Sequence, residues 1–347
     1  MKTTSQVFTV AVHEFSILSA PGYHTCDLLV ESTKRYEKLI YNSVLNQHIR
    51  FSAQRDTIKT LTVKLASECE QYPHQDMDET YTLNVTHTEP YLFSDSIWGI
   101  MRGLETFSQL VYETSASGVL INNTIVVDYP RFAFRGVMID TARHFLPLGV
   151  IYDHLDAMSY NKFNVLHWHI VDDESFPFVS NVFPQLSIQG SYNPQTHVYT
   201  QEDIKSVIEY ARLRGIRVIP EFDSPGHTRA WGKGQPNLLT PCYSNGQPNG
   251  NFGPVNPTVN TTYSFIEQLW REVKGLFPEK YIHLGGDEVS FSCWQSNPDI
   301  SAWMKTHDIS GDYSALEQYY IQNVIDISNK VNLSYIVWQE VMIKFEY

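Results

Sequence analysis

The chain has 347 residues, 42% of them hydrophobic, which is long enough for two domains with sizeable cores and ordinary for a soluble globular protein. Its formal net charge is −13 and its pI near 5.4, with no basic stripe, which argues against nucleic acid or an anionic membrane surface as a partner. No apolar run reaches membrane-spanning length.

In chain order, the first ten residues run on through His13 and Glu14, so the start lacks the uninterrupted apolar core of a signal peptide. Residues 8–12, 58–63, 81–85 and 124–127 alternate like half-buried strands, while 27–44 and 98–114 carry helical spacing. These elements predict a small α+β domain over residues 1–128 with nothing catalytic in it. The Asp128-Tyr-Pro-Arg131 stretch is its expected boundary.

Over residues 129–347 the pattern changes. Five short apolar runs, rich in β-branched residues, end in charged or aromatic residues. Gly136-Val-Met-Ile-Asp140 leads to Arg143 and His144, and Asn164-Val-Leu-His-Trp-His-Ile-Val171 to Asp172 and Asp173. Ile216-Arg-Val-Ile-Pro220 leads to Glu221, Asp223 and His227, Tyr281-Ile-His-Leu284 to Asp287 and Glu288, and Tyr335-Ile-Val337 to Trp338, Gln339 and Glu340. Helical patterns at 151–158, 200–215, 263–277 and 314–329 lie between them, and 231–263, rich in Gly, Pro and Asn, reads as a loop. Chemistry placed always after the strand is the signature of a (β/α) barrel, whose active site lies at the C-terminal strand ends. An open doubly wound sheet gives similar alternation, but no Gly-rich nucleotide turn follows the first strand.

Asp287 and Glu288 are the most telling pair. Adjacent carboxylates repel, so one pKa tends to rise and leave a general acid beside an ionised neighbour. Gly285 and Gly286 before them allow a tight bend or close ligand approach, although an Asp-Glu pair after glycines also suits a solvated turn. His167 and His169 share one strand face as metal ligands would, but spacing places no third ligand. The four cysteines fit reduced core positions as well as bridges, and Asn84, Asn122, Asn260 and Asn332 head Asn-X-Ser/Thr sequons.

Seven strings in one order carry a resemblance. They are the 98–111 segment from Trp98 to Val111, Arg131-Phe-Ala-Phe-Arg-Gly136, Asp140-Thr-Ala-Arg-His144, His167-Trp-His-Ile-Val-Asp-Asp173, Pro220-Glu-Phe-Asp-Ser-Pro-Gly-His227, His283-Leu-Gly-Gly-Asp-Glu288 and Val337-Trp-Gln-Glu340. Together they resemble the lysosomal-type β-N-acetylhexosaminidases of glycoside hydrolase family 20. The resemblance implies an α+β domain before a (β/α)8 barrel of TIM type. It implies removal of terminal β-linked N-acetylglucosamine or N-acetylgalactosamine with retention, the substrate's own acetamido oxygen attacking the anomeric carbon. Glu288 becomes the acid and base, and Asp287 the partner of the acetamido N–H. Arg143 grips sugar hydroxyls, Asp172 and His227 support the acid with Asp223 and Asp173 beside them, and Trp338 walls the acetamido methyl. No metal or cofactor is needed. Cys26–Cys69 and Cys242–Cys293 are the implied bridges, several of the sequons resemble family glycan positions, and a lysosomal or secreted homodimer or heterodimer is the expected form.

The resemblance also implies eight barrel strands, and five are legible before Tyr347; the 341–347 segment leaves the pattern. An incomplete barrel is therefore expected, with an open edge and exposed apolar surface, and the chain alone is expected to be inactive. A working hexosaminidase in partial or alternatively ended form is one reading; a non-catalytic product that at most binds sugar or a full-length subunit is the other.

Overall fold

The computed structural model describes residues 1–42, 56–114 and 118–345, in two units. One comprises Met1–Arg135, His154–Asn164 and Tyr210–Arg217; the other comprises Gly136–Asp153, Val165–Glu209 and everything from Val218 onward. The first unit thus runs past the expected Asp128–Arg131 boundary and takes in two later segments.

The first unit is built from β1 (Lys2–Val10), β2 (Ser16–Ser19), α1 (Asp27–Asn42), β3 (Thr57–Ile58), β4 (Thr60–Leu65), β5 (Tyr81–Val85), β6 (Tyr91–Ser94), α2 (Ile97–Leu110), β7 (Val111–Thr114) and β8 (Gly118–Asp128). The strands form one mixed sheet ordered β2-β4-β6-β5-β8-β1-β3, with β7 on β8. Every second residue of β4, β5 and β6 is buried, so one face is core. Helix α2 lies in that core, with Trp98 and Ile100 fully buried, each contributing about 2–3 kcal/mol by its removal from water. Ser96 caps it by accepting from the N–H groups of Trp98 and Gly99.

Two element bounds are corrected here. The strand expected at residues 8–12 runs from Lys2 to Val10, paired antiparallel with β8. The 98–114 helix stops at Leu110, where Val111 turns extended and residues 111–114 pair with β8; β-branched Val and Thr beside Tyr112 fit a pleated partner better than a further helical turn. Helix α1 ends at Asn42, and Val44 lies outside the described residues.

The second unit continues with β9 (Gly136–Asp140), α3 (Leu148–Tyr160), β10 (Val165–Val171), α4 (Gln185–Gly190), α5 (Gln201–Arg212), β11 (Arg217–Phe222), α6 (Arg229–Gly234), β12 (Leu239–Ser244), β13 (Gln247–Val255), α7 (Asn260–Leu276), β14 (Tyr281–His283), α8 (Ser292–Ser296), α9 (Pro298–Thr306), α10 (Tyr313–Lys330), β15 (Ser334–Ile336) and α11 (Gln339–Phe345). Strands β9, β10, β11, β14 and β15 make a five-stranded sheet in the order β15-β14-β11-β10-β9. The fold is an α+β domain followed by an incomplete (β/α) barrel, the class expected. Central β11 is buried at every residue, as a strand covered on both faces must be; edge strand β9 leaves Gly136 and Met138 exposed, and β15 is half-buried throughout.

The 231–263 loop is also corrected, because β12 and β13 pair as an antiparallel hairpin beside α6. Turn-forming Gln247-Pro-Asn-Gly250 hides the strand in the sequence; pairing with residues 239–244 makes it. The hairpin is bonded to α8 by Cys242–Cys293, and Cys26–Cys69 closes the second implied bridge in the first unit. Residues 341–345, expected to leave the pattern, continue α11.

Candidate active site

Parallel strands joined by crossover helices all point the same way, so everything just past their C-termini converges. Register fixes the rows: His169 sits beside Asp140, Glu221 beside His283, and His283 beside Ile336. Beyond the strands the ladder continues, with Leu284 N–H donating to Ile336 O at 2.8 Å and Trp338 N–H to Gly285 O at 3.0 Å.

On one side of the site Arg143 is held by two carboxylates. Its Nη1 donates to Asp140 Oδ2 at 2.8 Å and its Nη2 lies 2.9 Å from Asp172 Oδ2, with Glu174 farther off at 3.7 Å. Asp140 also accepts the N–H groups of Ala142 and Arg143, so the loop after β9 is wound around it. Buried Asp172 then reaches His169 Nε2 at 2.6 Å and His227 Nδ1 at 3.2 Å. Burial alone would raise its pKa, but these two histidines and the Asp173 N–H hold it well below the usual carboxylate range. Hydrogen bonding to Asp172 outweighs burial at His227 and carries its pKa up to about 9. At His169 burial is the largest effect and opposes the charge, but Asp172 and Glu221 together raise it to about 10.

The floor of the site is Glu221, and the sequence assigned it no role. It lies within β11, not after the strand, and is fully buried, with His167 Nε2 at 2.5 Å, His169 Nδ1 at 2.9 Å and His283 Nδ1 at 3.3 Å. Burial pushes its pKa up, yet these histidines carry it far down. Trp338 Nε1–H donates to Glu221 Oε1 at 2.8 Å, and the indole lies 4.7 Å from the His283 ring and 5.5 Å from the His167 ring. The third partner that spacing could not supply for His167 and His169 is this glutamate. The donor atoms of His167, Glu221 and His283 lie within 4.8 Å of one another, a geometry that could hold a metal ion, as could Asp172, Asp173 and His227 or Asp223, His227 and Asp287.

Asp287 and Glu288 do not sit on the strand end itself. Strand β14 stops at His283, and Gly285 and Gly286 then take φ of 68° and 98°. A Cβ on Gly285 would lie 1.8 Å from Asp223 Oδ1, so no other residue fits there without moving Asp223. Glu288 also has positive φ, 52°, which turns its side chain outward to 72% exposure while Asp287 keeps only 26%. Buried Asp223, next to Asp287 and Glu221, has its pKa pushed well above the ordinary carboxyl value, burial being the first cause and Asp287 the second. Gly286 N–H donates to Asp223 Oδ1 at 2.8 Å, and Glu340, beside Trp338, accepts from Glu288 N–H at 3.2 Å.

Of the residues singled out from sequence, Asp140, Arg143, Asp172, Asp173, Asp223, His227, Asp287, Glu288 and Trp338 all lie at this end of the sheet. Arg229 N–H donates to Asp173 Oδ1 at 2.9 Å, which ties Asp173 to the start of α6. The residue pattern gives Glu221, His283 and Glu340 no role of their own, although each stands inside one of the seven strings. Their signal was position: Glu221 and His283 face each other across adjacent strands.

Residues 132–347 match the glycosyl hydrolase family 20 catalytic domain, and residues 1–110 match the beta-acetyl hexosaminidase like domain. The chain belongs to glycoside hydrolase family 20. It is 47% identical to Beta-hexosaminidase subunit alpha of Bos taurus, covering 98% of this chain and 66% of that protein. To Beta-hexosaminidase subunit beta of Homo sapiens it is 49% identical, over 98% of this chain and 62% of the relative. The chain therefore spans somewhat under two thirds of the length of these relatives. Among solved family structures, a Flavobacterium johnsoniae chitobiase superposes with a TM-score of 0.84 at 28% identity, covering 98% of this chain and 51% of that one. An exo beta-N-acetylglucosaminidase from Vibrio harveyi in complex with N-acetylglucosamine gives 0.75 at 27%, covering 98% and 54%.

Proposed function

We propose that the protein hydrolyses terminal β-linked N-acetylglucosamine or N-acetylgalactosamine with retention, through attack by the substrate's own acetamido oxygen. One observation carries this reading. Asp287 Oδ1 is buried and makes no hydrogen bond among the described residues, and neither does His227 Nε2, 4.0 Å away. An unsatisfied buried carboxylate oxygen costs about 1–3 kcal/mol, so it calls for a donor. The N–H of an acetamido group is such a donor, and an ionised Asp287 there would also stabilise the positive oxazolinium-like intermediate.

Exposed Glu288, with Oε2 at 3.6 Å from His227 Nε2, stands where a leaving-group oxygen would arrive. It gives that oxygen its proton while the acetamido oxygen bonds to the anomeric carbon. In the second step it takes a proton from the water that opens the intermediate. Adjacent carboxylates on one loop do not straddle a sugar ring as an acid and a nucleophile must, which supports substrate assistance over a carboxylate nucleophile. Arg143 grips ring hydroxyls, Trp338 walls the acetamido methyl, and Asp172 with Asp173 and Asp223 keeps His227 and Asp287 in place. No cofactor enters these steps.

Two disulfides and four sequons support lysosomal or secreted placement. The relatives are named as subunits, which supports pairing with a second subunit. No helix among the described residues is long and apolar enough to cross a membrane.

The test uses the natural protein that carries this chain. Glu288→Gln should lose turnover of substrates with poor leaving groups far more than of substrates with activated ones, since only poor leaving groups need the proton. Equal loss for both would remove Glu288 from the role of acid.

A further inference from the structure

Glu221 is fully buried on β11 and takes no part in the steps above. We infer that it is a positioning residue: it fixes the Trp338 indole and, through that ring, limits the size of the N-acyl group that the site accepts. The inference rests on the function proposed above and adds a determinant of its specificity.

The carboxylate is anchored on one side and offered on the other. Every residue of β11 is buried, and Glu221 Oε2 meets His167 Nε2 at 2.5 Å and His169 Nδ1 at 2.9 Å, both on the neighbouring strand β10. Because both histidines hold the same oxygen, Oε1 is left for the opposite side. It lies 3.3 Å from His283 Nδ1 on β14 and accepts the Trp338 Nε1–H at 2.8 Å.

Trp338 is held less firmly than its acceptor. It follows β15, whose three residues are half-buried, and is half-buried itself. Its ring lies 4.7 Å from that of His283, tilted by 58°, and 5.5 Å from that of His167, tilted by 39°. Such neighbours press on the body of an indole, whereas its single polar handle, the N–H, decides which edge points where. A donor and acceptor with a preferred distance and angle therefore set the edge that faces the sugar.

The same network reaches the other wall of the site. His169 Nε2 is 2.6 Å from Asp172 Oδ2, and that oxygen is 2.9 Å from Arg143 Nη2. A connected row of groups thus runs from the guanidinium that grips ring hydroxyls to the indole that walls the acetamido methyl, with Glu221 between them. Two parts of one sugar are gauged against each other through this carboxylate. A longer N-acyl chain needs the indole to withdraw, and withdrawal would strip a partner from a buried acceptor.

The experiment compares kcat/KM on an aryl N-acetyl-β-glucosaminide with that on its N-butanoyl counterpart, in the natural protein. The wild type should favour the acetyl substrate. Glu221→Asp, which draws the carboxylate back by one methylene, should lower that preference about fivefold to tenfold, within the range that one methylene is worth in a pocket. Glu221→Gln keeps an oxygen for the indole and should retain most of it. Equal loss on both substrates in Glu221→Asp, as a merely structural role gives, would overturn the inference, and so would a Gln variant as unselective as the Asp one or a wild type without preference. Where either variant fails to fold, the indole side decides. Replacing Trp338 by benzothienylalanine keeps the ring shape and exchanges the N–H for sulfur, so the preference should fall by a similar factor; an unchanged preference refutes the role of Glu221. No wild-type turnover of either substrate would sink the proposed function and this inference with it, whereas turnover with unaltered selectivity in the variants sinks this inference alone.

Discussion

Asp287 keeps a buried oxygen with no hydrogen-bond partner among the described residues. Asp287→Asn should depress kcat by on the order of 10²-fold or more, the scale of losing one preorganised electrostatic contact. A cyclic thiazoline that mimics the intermediate should bind the natural protein far more tightly than N-acetylglucosamine does; equal affinities would exclude substrate assistance. The histidines supply a second prediction. The folded-state pKa of His227 is raised from 6.5 to about 9 and that of His169 to about 10, so their contribution to stability is complete below about pH 6.5 and disappears as pH climbs through 9 and 10. Asp172 and Glu221 are depressed from 3.8 and 4.5, so theirs is complete above those values and fades under stronger acid. Thermal unfolding followed across pH should show greatest stability between roughly 4.5 and 6.5, with His227→Gln flattening the alkaline limb. At this scale the sequence was readable wherever a charged residue followed an apolar run. Glu221 escaped because it completes the run itself, and its meaning depends on His283, 62 residues later, facing it across the sheet.

Turns carry the site where strands only aim it. Gly285→Ala should destabilise the fold by at least the ~1–2 kcal/mol of a non-glycine residue in left-handed backbone and abolish turnover, because the new Cβ displaces Asp223 and with it the Gly286 contact. A variant that keeps both wild-type stability and activity would show that the loop can be rebuilt. For the hairpin, replacing Cys242 and Cys293 by serine should cost about 2–4 kcal/mol, measured by denaturant unfolding under non-reducing conditions. The apolar runs within β10 and β11 could be read directly from the residue pattern. Short strands such as β2, β6 and β7, at four residues each, carry too few alternations to stand out, and β13 is written in turn residues.

For the molecule as a whole, exposure ranks the sequons. Asn260 and Asn332 are exposed, whereas Asn84 and Asn122 are half-buried on strands, Asn122 accepting the Tyr112 hydroxyl at 2.8 Å. Glycopeptide mass analysis should find Asn260 and Asn332 occupied more fully than the other two. Two-unit architecture was legible because the residue period changes near residue 130, but the interleaving of the units was not, since no local pattern announces a contact a hundred residues away. Buried Glu79 shows what such contacts do. Its carboxylate receives Arg102 Nε at 2.6 Å and Arg135 Nη2 at 2.6 and 2.7 Å, and removing it would strand a buried charge, so Glu79→Ala should destabilise by about 3–5 kcal/mol in thermal or denaturant unfolding.

Arg102 also donates to the carbonyls of Arg214, at 3.3 Å, and Gly215, at 2.8 Å, separations of 112 and 113 residues along the chain. On the ribosome, the first unit therefore cannot finish when its last strand, β8, emerges. Its final acceptors are still unsynthesised, and at about 5–20 residues per second the wait lasts several seconds to some twenty. During that interval, of the partners described, the guanidinium of Arg102 has only Glu79 to hold it.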